Sequence, residues 1–349
     1  MSEINKKLFG LDISDRALRL VKLAKNGKKI TLISFNEIAV PPGVIINGDL
    51  MKADILTDLV KELIKSTNGK KIKYDNMIAV LPETRTFIKV INLPAAKSEP
   101  ELIDSIFNEI KNHIPLTPEE IYMDWQIISD NQTQLKVLIG AAPKIVADSY
   151  YDALSRTGYA PYVMEIEASA ISRCLIAEKD RRPKIIIDFG ANRTGLIIFD
   201  NNVPQFTVSL PISGNKITET IAKTLQLDAT KAEEAKILCG LDTDKCEGAI
   251  KKILMAPIDS LAREIKKAMA FYQDNFANAS PIAEIILCGG GANFAKIDKV
   301  LSEKLKIPVT IGNPLTNILL PKKFNLSASK LLSYTTAIGL ALRTFQKNN

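Results

Sequence analysis

Ile185-Ile186-Ile187-Asp188-Phe189-Gly190 and, half a chain earlier, Leu8-Phe9-Gly10-Leu11-Asp12-Ile13-Ser14 share one design. Each is an apolar run closing on Asp, a hydrophobe and a small residue, and each leads through a polar turn into a second apolar run. Short apolar runs bounded by turn residues read as buried strands, so each half opens with a β-hairpin presenting an Asp at a strand end. Such a repeat points to a duplicated α/β domain with a cleft between the copies, where open α/β sheets bind their ligands.

Around the first copy, strands are expected at 8–13, 17–23 and 30–38, then a helix at 52–65 carrying Ile55, Leu56, Leu59 and Leu63 on one face. A strand at 77–81 ends at Pro82. The rhythm then changes: strand 86–91, helix 101–112, strands 122–128 and 135–141, helix 145–156. Pro94 and Lys97-Ser98-Glu99-Pro100 bracket this stretch on one side and Gly158 to Pro161 on the other, as for an inserted module. The first rhythm returns with strand 162–166, helix 168–177, the strand ending at Asp188, and a hairpin at 195–200 and 205–210. Helices follow over 217–276, with a long one after Pro257, then strand 285–288, helix 294–305 and a last helix at 331–345. The expected organisation is a first domain of 1–82, 161–184 and 331–349, an inserted α+β module at 83–160, and a second domain at 185–330, helical over about 214–276.

A turn of small residues leaves backbone N–H groups pointing outward, which suits phosphate oxygens. An Asp at its base suits Mg²⁺ held through water, because that ion keeps most of its hydration shell. Gly190-Ala191-Asn192-Arg193-Thr194 after Asp188 fits this description. Alone, such a turn is as often a plain hairpin; two copies flanking a cleft favour the phosphate reading. Cys288-Gly289-Gly290-Gly291-Ala292-Asn293-Phe294 lies between a strand and a helix, and its bare backbone would let a flat ligand lie close, with the helix N-terminus behind. It is not a dinucleotide fingerprint, since Phe294 stands at the third glycine position, and there is no P-loop: Gly43 and Gly48 have its spacing, but Asp49 stands where Lys belongs.

Composition narrows the classes. The 349 residues suffice for two domains or more at roughly 150 residues each. Hydrophobic residues at 46% and charged residues at 24% are ordinary for a globular chain. No apolar run reaches the roughly 18 residues of a membrane span, and the start runs straight into a strand, so no signal peptide is expected. Cys174, Cys239, Cys246 and Cys288 form no C-x-x-C pair, which excludes a zinc ribbon; no disulfide and a reduced, cytoplasmic compartment are expected. His113 is the single histidine and closes a helix, so histidine-based catalysis is excluded. The net charge of +7 is scattered over turns (Lys25 to Lys29, Lys70 to Lys73, Lys179 to Arg182) without interleaved aromatics, and no nucleic-acid partner is expected.

These residues together carry a resemblance. Two Asp-bearing hairpins, a triple-glycine turn and a duplicated core resemble the actin-like ATPase superfamily, and within it the PilM family of type IV pilus assembly proteins, relatives of the cell-division protein FtsA. The most specific parts are Asn112-His113-Ile114-Pro115-Leu116, Ala141-Ala142-Pro143-Lys144, the run from Glu165 to Arg173, and Ala337 to Arg343. The resemblance covers about residues 8 to 345 and implies an α/β, duplicated actin-like (ribonuclease H-like) two-domain fold with a small inserted α+β module.

It further implies ATP and Mg²⁺ as ligands. Asp12 and its turn resemble the first phosphate loop, Asp188 to Thr194 the second, Gly289 to Asn293 the adenosine turn, and Gly214 with Asn215 a further turn facing the nucleotide. Glu233 and Lys236 match the family's Glu-x-x-Lys that reaches ribose and base; without the resemblance they read equally well as an exposed i,i+3 ion pair. Glu167 stands where relatives place the residue that orients the attacking water. The first loop departs from the family's Asp-Ile-Gly-Ser-Ser: Ser14 replaces the glycine, Asp15 sets a carboxylate where phosphate oxygens should sit, Arg16 could compensate, and Arg19 stands at the family's Lys. Two like charges in a cleft repel, so slow or absent hydrolysis is expected.

The function so implied is a cytoplasmic ATP-binding scaffold of the type IV pilus machinery, which holds the N-terminal cytoplasmic tail of an inner-membrane PilN-like protein and so reaches the membrane through a partner. The assembly ATPase and platform would be met indirectly. A filament-forming ATPase of the FtsA or MreB kind is the alternative, and a small-molecule kinase of the same superfold a third, for which no motif nominates a catalytic base.

Overall fold

The computed structural model describes residues 8–346 except 74–75, 97, 115, 131–132 and 277–278. Lys97 of the expected linker, Pro115 of the insertion motif, the start at 1–7 and the end at 347–349 therefore lie outside the described residues.

The chain begins with β1 (Leu8–Ile13), β2 (Ala17–Asn26) and β3 (Lys29–Ala39), followed by the two-residue pair β4 (Ile45–Ile46) and β5 (Asp49–Leu50), α1 (Ala53–Lys65), the short β6 (Asn68–Gly69) and β7 (Asn76–Leu81). The insertion supplies β8 (Phe87–Pro94), α2 (Glu99–Ile110), β9 (Ile121–Asp130) and β10 (Gln134–Pro143); α3 (Lys144–Ser155), β11 (Pro161–Ile166) and α4 (Glu167–Leu175) lead back. The second copy is β12 (Lys184–Phe189), β13 (Thr194–Asp200), β14 (Val203–Leu210), α5 (Gly214–Leu225), α6 (Ala229–Cys239), α7 (Ala249–Asn275), β15 (Glu284–Cys288), α8 (Ile297–Leu305) and β16 (Val309–Ile311). The chain closes with α9 (Ala328–Leu332) and α10 (Thr335–Leu342).

The duplication is visible in the ladders. In one sheet β1, β2 and β3 are antiparallel neighbours while β7 and β11 run parallel on the other side of β1, giving the order β11-β7-β1-β2-β3-β6. In the other, β12, β13 and β14 repeat the antiparallel trio, with β15 and β16 parallel beyond β12. Asp12 and Asp188 are each the fifth residue of a six-residue strand. Both leading strands are buried almost throughout, which is why their sequences are continuously apolar rather than alternating.

The insertion extends the second sheet: β8 joins β14 at Phe206↔Lys89, and β10 and β9 continue outward with α2 on their face. Helix α3 packs on both neighbours: Tyr150, Ala153 and Leu154 share a core with Leu56, Val60 and Leu63 of α1, and Ala147 packs with Ala142 of β10. The C-terminal α10 crosses behind β1, so close that a side-chain carbon on Gly10 would lie 2.4 Å from the Ala337 carbonyl oxygen. The last helix, expected as one piece, breaks at Ser333–Tyr334 between α9 and α10. Helix α7 begins ahead of Pro257 and runs through it. His113 lies in the turn after α2, its Nε2 3.0 Å from Glu109 Oε1, a structural position. Contrary to the expectation from spacing, Cys239 and Cys246 are joined as a disulfide; the fold of α6 and the following turn brings together cysteines that no C-x-x-C motif announces.

Candidate functional site

Three carboxylates converge where the two leading strands end. Asp12 faces Arg19 across its hairpin, with Arg19 Nη1 3.3 Å from Asp12 Oδ2 and Arg19 Nε 2.9 Å from Glu37 Oε2. Burial outweighs that cation and holds the Asp12 carboxyl above its ordinary range. Asp188 has the equivalent place on β12 but faces Gly195, which offers no charge; the Cys288 thiol donates to it at 3.8 Å. Burial first, then the charge of Asp12, push Asp188 up to about 6. Glu167 opens α4 and is raised well above the carboxylate range, by burial first and then by Asp188 and Asp12.

The hairpin tips differ from what the sequence suggested. Ser14 closes its own turn: its Oγ donates to the Ala17 carbonyl at 3.0 Å and accepts from the Ala17 N–H at 3.2 Å. Asp15, expected to repel phosphate, lies in the cleft wall with hydrogen-bond donors around it. It accepts from the N–H groups of Asn47 (3.1 Å) and Gly48 (3.3 Å) and from the side-chain amide of Asn192 at 2.9 Å. Gly48 is at φ 84°, a backbone state that suits glycine.

From the second hairpin, Asn192 accepts from Asn215 at 2.6 Å, and Arg193 bridges Glu83 and Glu167, the latter at 2.9 Å. Burial lowers the Arg193 guanidinium to about 10. Glu83 was not foreseen; the only hint is that it follows a buried strand end, as Asp12 and Asp188 occupy theirs. A side-chain carbon on Gly195 would come 2.9 Å from Glu83 Oε2, so the glycine makes room for it.

The cleft so formed holds about 590 Å³. Of the residues singled out from sequence, Asp12, Ser14, Asp15, Arg16, Arg19, Glu167, Asp188, Gly190, Ala191, Asn192, Arg193, Gly289 and Gly290 line it. Thr194, Gly214, Asn215, Glu233, Lys236, Gly291, Ala292 and Asn293 are not part of that lining. Thr194 is buried, its hydroxyl donating to the Ile212 carbonyl at 2.8 Å. Gly214 and Asn215 staple α5 to the second hairpin by donating their N–H groups to Gly190 and Ala191. Gly291 packs under the Phe189 ring, whereas Gly290 has open space. Gly289 adopts φ 77° and passes beside Asp188. The helix expected at 294 starts only at Ile297, so its N-terminus does not stand directly behind the glycines. Leu332 at the end of α9, Ser333 in the break, and Thr335 and Thr336 at the start of α10 line the cleft unforeseen.

Glu233 and Lys236 are no exposed pair. Lys236 is buried, and its Nζ donates to Glu233 at 2.5 Å, Thr218 at 2.7 Å and the Gly214 carbonyl at 3.1 Å. Burial lowers the Lys236 ammonium; against the opposing effect of burial, the hydrogen bonds from Lys236 and Thr218 hold Glu233 below its ordinary range.

The chemistry of this lining fits a magnesium nucleotide. Its volume lies inside the roughly 300–1,000 Å³ of small-molecule sites. The three raised carboxylates would be relieved by a cation, and Gly289 and Gly290 leave bare backbone beside them. Among the described residues, no group of three Asp, Glu, His or Cys side chains is set to grip an ion directly.

Comparisons with known proteins agree with this architecture. The family model for type IV pilus assembly protein PilM matches residues 10–345. Among curated relatives, cell division protein FtsA of Borreliella burgdorferi is 26% identical over 185 residues, 47% of this chain and 44% of that protein. FtsA of Pseudomonas aeruginosa is 25% identical over 207 residues, 54% of this chain and 48% of that one. The chain thus spans about half the length of the curated relatives it matches. The solved PilM–PilN type IV pilus biogenesis complex superposes with a TM-score of 0.82 at 23% identity, covering 98% of this chain and all of that one. MreB5 of Spiroplasma citri, solved with AMPPNP, superposes at 0.53 with 14% identity over 96% of this chain and 94% of its own. The fold is that of the actin-like ATPases.

Proposed function

The chain belongs to the family of type IV pilus assembly proteins PilM, and from that premise we propose that it is an ATP-binding scaffold whose nucleotide lies in the cleft between the two hairpins. The observation that carries this reading is the meeting of Asp12, Asp188 and Glu167 at one cleft, each raised by burial and, for Asp188 and Glu167, by the charges of its neighbours. Mg²⁺, held through water by Asp12 and Asp188, would supply the positive charge that these groups and the phosphates share. Arg19, Arg16 and Arg193 would meet phosphate oxygens, the Gly190 to Arg193 tip would offer backbone N–H groups, and Gly289 and Gly290 would admit the adenosine. Glu233 and Lys236 would meet the ribose. Glu167 would orient water, yet it is already paired with Arg193, which supports slow or absent hydrolysis.

The partner in this reading is the N-terminal cytoplasmic tail of an inner-membrane PilN-like protein, which would place the scaffold at the inner face of the membrane and, indirectly, beside the assembly ATPase and platform. It is supported by the likeness to the PilM–PilN complex. Among the described residues no helix is long and apolar enough to cross a membrane, which suits recruitment through a partner. Calorimetric titration with ATP, with and without Mg²⁺, tests the nucleotide reading: Mg-dependent binding at micromolar or tighter affinity is expected, and absence of binding by the wild type would refute it. Capture of the chain by an immobilised PilN-like tail peptide tests the partner.

A further inference from the structure

The root of the insertion is held from both sides of the cleft. Thr84 Oγ1 donates to the Asn47 carbonyl at 2.8 Å, and the Asn47 and Gly48 N–H groups donate in turn to Asp15 at the first hairpin tip. Arg85 pairs with Asp49 of the same turn. From the opposite side Arg193, at the second hairpin tip, pairs with Glu83 through Nη1 and with Glu167 through Nη2.

Glu83 is the unusual member. Its side chain is 7% exposed, and its Oε1 is buried with no hydrogen-bond partner among the described residues. A carboxylate so enclosed, with one oxygen on a cation and the other on nothing, is expensive to desolvate and gains little beyond that single cation. The cation, by contrast, has a planar fork of donors and stands at the cleft wall among the groups proposed to hold phosphate.

We propose that Arg193 is the residue by which this site tells a nucleoside triphosphate from a diphosphate, and that Glu83 holds it in the ligand-free protein. The assignment rests on the nucleotide reading given above. A terminal phosphate brings more charge and three more oxygens than a diphosphate presents, and a guanidinium pairs with such a group through two parallel hydrogen bonds. It therefore competes with Glu83 and Glu167 for Arg193, whereas a diphosphate leaves the bridge in place. Transfer of Arg193 releases Glu167 from its neutralising partner. It also frees Glu83, which lies four residues ahead of the first residue of β8, so the insertion root loses its tie to the second hairpin when triphosphate binds.

The test is calorimetric titration of the full chain with Mg-ATP and Mg-ADP for the wild type, Arg193→Gln, Arg193→Lys and Glu83→Gln. The Arg193→Gln change is expected to weaken ATP about tenfold or more while ADP stays within about twofold, and Arg193→Lys to recover part of the loss. Glu83→Gln removes the competing charge and is expected to tighten ATP about threefold with ADP unchanged. Equal loss for both nucleotides in Arg193→Gln, or no loss, overturns the assignment. So does a Glu83→Gln protein with the wild-type ATP-to-ADP ratio, which keeps the test decisive if Arg193→Gln fails to fold. A wild type that binds ATP and ADP equally also overturns it. A wild type that binds neither brings down the nucleotide reading itself, and this assignment with it.

Discussion

In the first hairpin Asp12 faces Arg19, and the tip is closed on itself by Ser14 and moored to the Asn47–Gly48 turn by Asp15. In the second, Asp188 faces Gly195, and the tip reaches over the cleft with Asn192 and Arg193. The strand plan is the same, so the contrast lies in where each charge finds its partner. The first copy gives its aspartate a cation within its own hairpin, and its tip receives donors from the Asn47–Gly48 turn and from Asn192. The second leaves its aspartate with only a thiol donor and sends its cation to the opposite wall. Duplication has supplied two equal frames, and side-chain choice has made one an anchored wall and the other a reaching arm.

The largest expected break in this contrast is in ligand affinity. Asp188→Ala removes the carboxylate that has no cation of its own and should weaken Mg-ATP on the order of 100-fold, whereas Asp12→Ala frees Arg19 for phosphate and should weaken it on the order of 10-fold. Titration calorimetry reads both, and equal losses would mean that the two frames act alike.

The next effect is on stability without ligand. The folded Asp188 carboxyl keeps its proton up to about pH 6, whereas an ordinary aspartate in the unfolded chain releases it at lower pH. In that window the native state binds more protons, so stability is full below the window and falls as pH rises through it. Asp188→Asn should remove this loss, raising ligand-free stability above pH 6 by on the order of 2 kcal/mol and leaving it unchanged near pH 3. Denaturant melts at the two pH values decide it, and a gain independent of pH would assign the effect to packing.

A smaller effect concerns the mooring. Asp15→Ala leaves the Asn47 and Gly48 N–H groups to solvent and should cost about 1 kcal/mol, with faster amide exchange at those two residues. Unchanged exchange would mean that the turn holds without Asp15. Smallest of all, Ser14→Ala removes one hydroxyl bond from the first tip and should cost about 0.5 kcal/mol in the same melts.

Much of the framework was legible because strand pairing in this fold begins from local pattern. Leu8 to Ile13 and Lys184 to Phe189 are apolar on both faces because each runs through the middle of a sheet, and a continuous apolar run announces that directly. The helix boundaries were less legible. The break at Ser333–Tyr334 had a sequence trace in the succession Ser333-Tyr334-Thr335-Thr336, all weak helix formers, but the apolar periodicity around it was stronger. For α3 the periodicity said helix without saying which neighbour it covers.

The amino-acid order alone announced two Asp-ended hairpins and the glycines that follow the strand at Cys288. Those are properties of neighbours in sequence, read through side-chain volume, charge and turn preference. Folding in three dimensions settled what faces what: Asp15 turned onto the Asn47–Gly48 amides, Lys236 buried beneath Thr218, and Arg193 set between Glu83 and Glu167. Arg193 and Glu83 are separated by 110 residues, and no periodicity links them. Their meeting follows from the way the two sheets close on one cleft, where burial makes each charge seek the nearest opposite one.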